Sequence, residues 1–379
     1  MYTITVSDRA NQLASSLHNK LVQICKTVEF YAALYTFDLS PLLLGACQLY
    51  QIQTTLLYVQ YGLVVEHVNV EEDDPTKFLY QSKIGNCNFN EFILSYPSGA
   101  YTGMRTVNRD AIVELKTHMK RMTNSLSLIK FEGKTASQTE AADHALKSLR
   151  DPHGFEQKVI PLLKKGLSEY YKHVDTTTNT GHPSETKVSL MATYSFETQQ
   201  PYFAAHFAPL ASIPPHKRVK VDIERKERKA PEVKDSKWVR ERHVLEKNKP
   251  ADVNEVLLMD GQQRLYEGMA SNFLAVKKDG TVLCAPLDHI LLGSILKIVV
   301  SVCQKNNVPF KWEFPMLQDA KQGKWEGCFL TSTSRLLLPI ETIHMEDGSI
   351  EFKETSPLVE SLRKQVANEI YQGAYKILP

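Results

Sequence analysis

What the chain lacks narrows its chemistry first. Its 379 residues include only six cysteines (Cys25, Cys47, Cys87, Cys284, Cys303 and Cys328), widely scattered, with no C-x-x-C pair and no His/Cys ligand cluster. That pattern excludes a disulfide framework and a zinc site, and it reads as a reducing compartment, here expected to be the cytoplasm. No charge of one sign dominates either: a net charge of +2 argues for neither nucleic acid nor an anionic membrane as partner. Met1–Ala10 has neither the basic start nor the compact apolar stretch of a secretory signal, and an organelle presequence would be a poor match. Between Leu39 and Val65 there is no charge at all, a run long enough for a transmembrane helix. Pro41, Gly45, Gly62 and four glutamines break it, so no membrane span is expected. Residues 1–70 are read as an N-terminal extension of uncertain structure, packed on the surface or partly unordered.

The remainder has the composition of a soluble globular protein, and its length exceeds what one core usually holds. The expected division is a small α/β domain over 71–210, an interdomain connection over 211–235 and a larger α/β domain over 236–379. In the first part, Asp110–Leu126 has Ile112, Leu115, Met119 and Met122 at helical spacing, which places His118 and Arg121 on a neighbouring face. A second helix is expected from Phe155 to Val174, with Val159, Leu162, Leu163 and Leu167 buried. A Thr/Asn/Gly/Pro loop follows from Asp175 to Glu185. Lys187–Ser195 and Tyr202–Phe207 then read as strands, with His206 a core histidine. Between Ala211 and Pro250, 13 Lys+Arg stand against 7 Asp+Glu. Charges alternate in sign through Glu224–Lys229 and no aromatics are placed for stacking, so this run is read as a solvated connection.

The most informative stretch is Glu255–Ile343. A strand, Glu255–Asp260, leads to Glu267-Gly268 and Ser271-Asn272. A hairpin follows, with arms Asn272–Val276 and Thr281–Ala285 and Asp279-Gly280 at its turn. Gly293-Ser294-Ile295 opens an apolar helix carrying Leu296, Val299, Val300 and Cys303. A strand, Gly327–Thr331, ends in Thr331-Ser332-Thr333-Ser334. A closing helix is expected over Ser356–Ala374, with Leu358, Leu362, Val366 and Ile370 on one face. A glutamate beside Ser-Asn, a glycine at a helix N-terminus and a hydroxyl-rich turn after a strand describe a site for a phosphorylated ring cofactor.

From Tyr96 to Ile343 this order of motifs resembles the class IV (fold-type IV) pyridoxal-phosphate enzymes: the D-amino acid and branched-chain aminotransferases and aminodeoxychorismate lyase. The resemblance implies a two-domain D-amino acid aminotransferase-like α/β fold, pyridoxal 5'-phosphate in the interdomain cleft, amino acid and keto acid substrates, and a homodimer. It assigns Arg121 of His118-x-x-Arg121 to the phosphate, Glu267 to the pyridine nitrogen and Asn272 to holding that glutamate. It also assigns Leu291 to packing on the ring, and Ser294, Ile295, Ser332 and Thr333 to the phosphate cup. The Schiff-base lysine is Lys234, with Lys237 the alternate. Lys234 is expected at a strand end before a helix Trp238–Lys247.

The chain departs from the family pattern in two places. Thr102 stands for an acidic residue in Tyr101-Thr-Gly103-Met-Arg105, and Ile295-Leu296 stand for Thr-Arg after Gly293. These departures motivate a cofactor-free scaffold as one alternative to an aminotransferase; an amino-enol-pyruvyl lyase is the other.

Overall fold

The computed structural model describes residues 62–177, 185–214 and 216–379. Residues 1–61, the centre of the Asp175–Glu185 loop and Pro215 lie outside the described residues, and with them most of the expected N-terminal extension. Tyr61–Pro379 form one compact unit that holds two sheets.

The first sheet has seven strands in the order Ala374–Lys376, Ala111–Val113, Ala100–Val107, Thr186–Ser195, Gln200–Pro209, Gly62–His67 and Tyr80–Gly85. Every neighbouring pair is antiparallel. Strand alternation gives the sheet two unlike faces. On one, Met104, Val188, Leu190, Phe203 and Phe207 form a core with the helices Leu115–Leu128 and Pro152–Thr177. The expected stripe of the second helix, Val159, Leu162, Leu163 and Leu167, is fully buried there, each side chain contributing about 1.5–3 kcal/mol of apolar transfer. Gly166 makes this close approach possible, since a Cβ on it would lie 2.1 Å from the Phe207 ring. The opposite face presents Tyr101, Gly103 and Arg105 and is covered by a short helix, Phe89–Leu94, capped by Asn88 and Glu91.

The second sheet runs Phe310–Trp312, Val282–Cys284, Asn272–Lys277, Trp325–Ser332, Leu336–Met345, Val219–Arg225, Glu255–Met259 and Leu265–Gly268, with Gly348–Glu351 paired onto Leu336–Met345. Pairing of Asn272 with Glu267 brings Leu265–Gly268 back onto Asn272–Lys277, so six of these strands close into a circuit. Helices Ser294–Lys305 and Pro357–Gln372 pack on it through Leu296, Val299, Leu362 and Val366.

Several expectations are corrected. Residues 62–67, grouped with the extension, are a strand of the first sheet, paired with Tyr80–Gly85 on one side and with the distant Gln200–Pro209 on the other. The segment 211–235 is not merely a connection, because Val219–Arg225 joins the second sheet by parallel pairing. Val219 and Val221 are buried in that strand, and the alternating charges Glu224–Lys229 begin at its last two residues and run on past its end. Ile112 belongs to a strand rather than to the helical stripe: Ala111–Val113 pairs on both sides, and the chain turns at Glu114 (φ 52°) before the helix begins at Leu115. The single helix expected over Trp238–Lys247 is two, Lys237–Glu241 and His243–Asn248. The closing helix buries Leu362, Val366 and Ile370, with Val359 rather than Leu358 completing the stripe.

Candidate active site

Lys234 lies beside the start of the strand Ala100–Val107. It does not end a strand as expected; Asp235 makes an isolated bridge to Ala100, and main-chain bonds hold the segment. The Lys234 N–H donates to Ser125 Oγ (3.0 Å), its carbonyl accepts from Tyr101 N–H (3.0 Å), and Ser236 N–H donates to the Gly99 carbonyl (2.8 Å). Its Nζ sits 5.0 Å from the centroid of the Tyr101 ring. Burial pushes the Lys234 pKa well below the ordinary lysine value; Arg121, Arg228 and Arg242 push it further, and Glu267 opposes them. Lys237 points elsewhere: its side chain is 69% exposed, 3.9 Å from Glu241 on the same short helix. Of the two lysines, only Lys234 is brought to the cleft.

Glu267 is 4% exposed and tied on both oxygens. Oε2 accepts from Leu291 N–H (3.1 Å) and from Asn272 Nδ2 (3.4 Å), while Oε1 accepts from Arg228 Nη1 (3.2 Å). Asn272 Nδ2 also donates to the Leu291 carbonyl (2.7 Å), so one amide fixes the glutamate and the loop that contacts it. Burial raises the Glu267 pKa, and Arg228, the Leu291 N–H and Lys234 act against that rise. Leu291 is buried, and its main chain, beyond the side-chain packing expected of it, holds the carboxylate. Sequence reasoning missed Arg228. It sits in the basic run read as a connection, and only its bond to the Val233 carbonyl (2.6 Å) and its placement 5.6 Å from the Trp238 ring aim it at Glu267.

A second cluster forms around the N-terminus of the helix Ser294–Lys305, which has no side-chain cap. Ser294 Oγ is 3.0 Å from Thr333 Oγ1, joining this terminus to the Thr-Ser-Thr-Ser turn. Arg121 Nη1 donates to the Leu292 carbonyl (3.3 Å), and Arg105 Nη1 to the Thr333 carbonyl (3.2 Å). Ile295 is buried as the second residue of the helix, so only its main chain faces this cluster. Ser332 caps the turn, accepting from the Arg335 N–H (3.2 Å). Arginines, hydroxyls and free main-chain N–H groups together make a cup for an anion.

Thr102 explains how Arg121 is held without the acidic residue expected beside it. Arg121 Nη2 donates to Thr102 Oγ1 and to His118 Nδ1, each at 2.8 Å, and Thr102 Oγ1 also lies 2.8 Å from His118 Nδ1. Burial and the neighbouring Arg121 keep the His118 pKa well below its ordinary value, so the imidazole is neutral and structural. His206 is likewise a core group, with Nε2 2.8 Å from the Cys87 carbonyl and the ring stacked on Phe92. Among the described residues no helix is long and apolar enough to cross a membrane, and no His/Cys/Asp/Glu group is arranged to hold a metal.

With this geometry in view, comparison with known proteins is direct. The model of the class IV amino-transferase family matches residues 99–343. The chain belongs to that family. Relatives within class IV include the D-alanine aminotransferases of Listeria monocytogenes serotype 4b (strain F2365) and Listeria innocua serovar 6a (strain CLIP 11262), each 27% identical over 134 residues. Each match covers 35% of this chain and 44% of the relative, so the chain spans less than half the length of these curated proteins. The branched-chain aminotransferase of the thermophilic archaeon Thermoproteus uzoniensis with norvaline superposes with a TM-score of 0.56 at 14% identity, over 84% of this chain and 99% of its own. The fold IV-transaminase CpuTA1 from Curtobacterium pusillum gives 0.59 at 14% identity, over 81% and 99%. These likenesses establish the class IV fold.

Proposed function

We propose that this chain is a pyridoxal 5'-phosphate-dependent aminotransferase that takes an amino acid and a 2-keto acid. The observation that carries the reading is the convergence of one buried amine, Lys234, and one buried carboxylate, Glu267, beside an anion cup. The cup fits a phosphate monoester. Arg121 Nε and Thr331 Oγ1 are buried with no hydrogen-bond partner, and the helix N–H groups at Ser294–Leu296 have no side-chain cap. When bound, the cofactor supplies an aldehyde for the lysine and an electron-withdrawing ring for the substrate's α-carbon.

The residues divide the remaining work. Arg121, with the hydroxyls of Ser294 and Thr333 and the helix N–H groups, binds the phosphate dianion. Ser332 holds the turn. Glu267, fixed by Asn272 and the Leu291 N–H, keeps a proton on the ring nitrogen. Lys234 Nζ, whose pKa is lowered by burial and by the cations around it, is the covalent attachment point and the base that takes the α-proton. The assembly we propose is a homodimer, on the resemblance to class IV enzymes. The cytoplasm is the proposed location, on the free thiols of Cys87, Cys284, Cys303 and Cys328.

Borohydride reduction of the cofactor-loaded chain followed by peptide mapping tests the reading: the pyridoxyl group is expected on Lys234. Keto-acid formation from an amino acid, dependent on a keto-acid acceptor for turnover, identifies transamination. Pyruvate release without an acceptor would identify the lyase instead, and a chain that takes up no cofactor would identify a scaffold.

A further inference from the structure

Four cations at the cleft are matched by carboxylates: Arg105 with Glu185, Arg228 with Glu267, Arg242 with Glu246 and Arg335 with Glu255. Among the described residues, Arg121, Lys234 and Lys187 have no ion-pair partner; nor do Lys226, on the Trp238 ring, and Arg240, bonded to Ser236 and the Tyr96 carbonyl. The phosphate of the proposed cofactor, carrying about −1.5 to −2 charges, answers Arg121, and covalent attachment occupies Lys234. Of the cations left over, Lys187 is the one on the sheet face that carries Tyr101 and Arg105.

Its position makes that surplus informative. Register places Lys187 opposite Arg105 and Ser189 opposite Gly103, so all four lie with Tyr101 on the face of the first sheet that looks away from the long helices. Lys187 Nζ stands 4.0 Å from the centroid of the Phe89 ring. That ring is 6.0 Å from Tyr101, which carries Lys234 Nζ over its own face. The two amines are therefore presented on adjoining aromatic rings. Ser189 Oγ is buried with no partner, and a Cβ built on Gly103 would meet nothing within 4 Å, so the floor between them is open. Burial, then the charge of Arg242 and, more weakly, Arg335 and Lys234, lower the Lys187 pKa to about 8 against the opposing effect of Tyr101.

We infer that Lys187 anchors a carboxylate of the substrate beside Lys234, so that the amino donor is a carboxylate-bearing amino acid and not a neutral amine. This rests on the aminotransferase reading and deepens it by naming the residue that holds the substrate's carboxylate. Lys187 is half-buried, and an ammonium partly withdrawn from water without a counter-ion, next to the reacting amine, is matched by an anionic ligand. The sequence offered no sign of it, because Lys187 opens an otherwise apolar strand.

The test uses the full chain loaded with pyridoxal 5'-phosphate and two unreactive probes, isovalerate with one carboxylate and glutarate with two, measured by calorimetry. Lys187→Met is expected to weaken at least one probe by roughly tenfold or more, the loss of a charge-assisted contact, while cofactor content stays unchanged. Loss for both probes assigns Lys187 to the carboxylate nearest the reacting carbon; loss for glutarate alone assigns it to a distal one. Lys187→Arg is expected to recover most of the affinity, and Lys187→Gln decides if the methionine variant does not fold. Wild-type protein that holds cofactor and binds neither probe overturns the anchor alone. So does a neutral variant that binds both as tightly as wild type. A chain that takes up no cofactor overturns the aminotransferase reading and the anchor together.

Discussion

Removing Arg228 isolates the electrostatics of the site more cleanly than any other change. Arg228→Met deletes the cation 3.2 Å from Glu267 while roughly preserving volume, and both side chains are almost fully buried. The stranded carboxylate then has two options, to remain charged in a poorly solvated place or to take up a proton. Protonation sets the ceiling: for a carboxylate with an unfolded pKa of about 4.3, being held neutral costs at most about 3.7 kcal/mol at pH 7 and about 1.6 kcal/mol at pH 5.5. The lost bond to the Val233 carbonyl adds about 1 kcal/mol at either pH.

The sign follows from the direction of the shift. Glu267 already has a raised pKa, and without Arg228 it rises further. A group that the folded state prefers protonated destabilises above its folded pKa and is relieved as pH falls toward the unfolded value. Urea denaturation of cofactor-free protein should therefore show a deficit for Arg228→Met that shrinks, by up to about 2 kcal/mol, between pH 7 and pH 5.5. Arg228→Met/Glu267→Gln, with no charge to strand, should keep only the small pH-independent part. A deficit equal at the two pH values, or one that the double variant leaves intact, would refute the ion-pair account.

Three further outcomes are expected. Lys234→Ala should abolish the long-wavelength absorbance of lysine-bound cofactor, whereas Lys237→Ala, on an exposed side chain, should leave it intact; the opposite result would exchange their roles. Gly293→Ala should destabilise the protein by about 1–3 kcal/mol in urea titration, because a Cβ there lies 2.2 Å from Asn272 Oδ1, and the amide that would have to yield is the one holding Leu291 and Glu267. An unchanged midpoint would count against that clamp. Arg121→Gln keeps donors but removes charge, so affinity for pyridoxal 5'-phosphate by calorimetry should fall by roughly tenfold to a hundredfold; an equal fall for pyridoxal, which has no phosphate, would contradict the assignment.

The parts of the site legible in the sequence are those whose chemistry is local. Gly293 opening a helix, Thr333 ending a strand and Asn272 five residues after Glu267 act over one turn or one hairpin, and their order along the chain carries the information. Arg228 and Lys187 were not legible because their roles depend on pairing between distant segments. Arg228 reaches Glu267 only because Val219–Arg225 joins the second sheet beside Glu255–Met259. Lys187 faces the cleft only because its strand registers Lys187 with Arg105. Arg228 lies in the coil after that strand, inside a run of like residues, and Lys187 lies in a segment read as a strand whose partner and facing side the sequence did not give. The strand Ala111–Val113 was missed because Ile112 fits a helical period that starts three residues too early, and pairing with Ala100–Val107 and with the C-terminal strand Ala374–Lys376 fixes it as β.

The two departures from the family pattern bear on whether the site is active, and their surroundings weaken the case for a scaffold. Leu296 is fully buried in the core of the second sheet with Val299 and Leu362, so this position adds hydrophobic packing and contributes no cation to the cup. The main-chain donors of the helix terminus do not depend on that side chain, because an uncapped first turn exposes its N–H groups whatever residues follow. At Thr102 the change is from an expected carboxylate to a hydroxyl, which orients Arg121 through a hydrogen bond without neutralising it. An arginine held by neutral partners, with its Nε buried and unbonded, keeps its charge for an incoming anion. A scaffold that had lost the cofactor would be under no pressure to leave that charge, the Lys234 amine and the Glu267 carboxylate all desolvated, since relieving any of them by a neutral substitution would remove a burial cost.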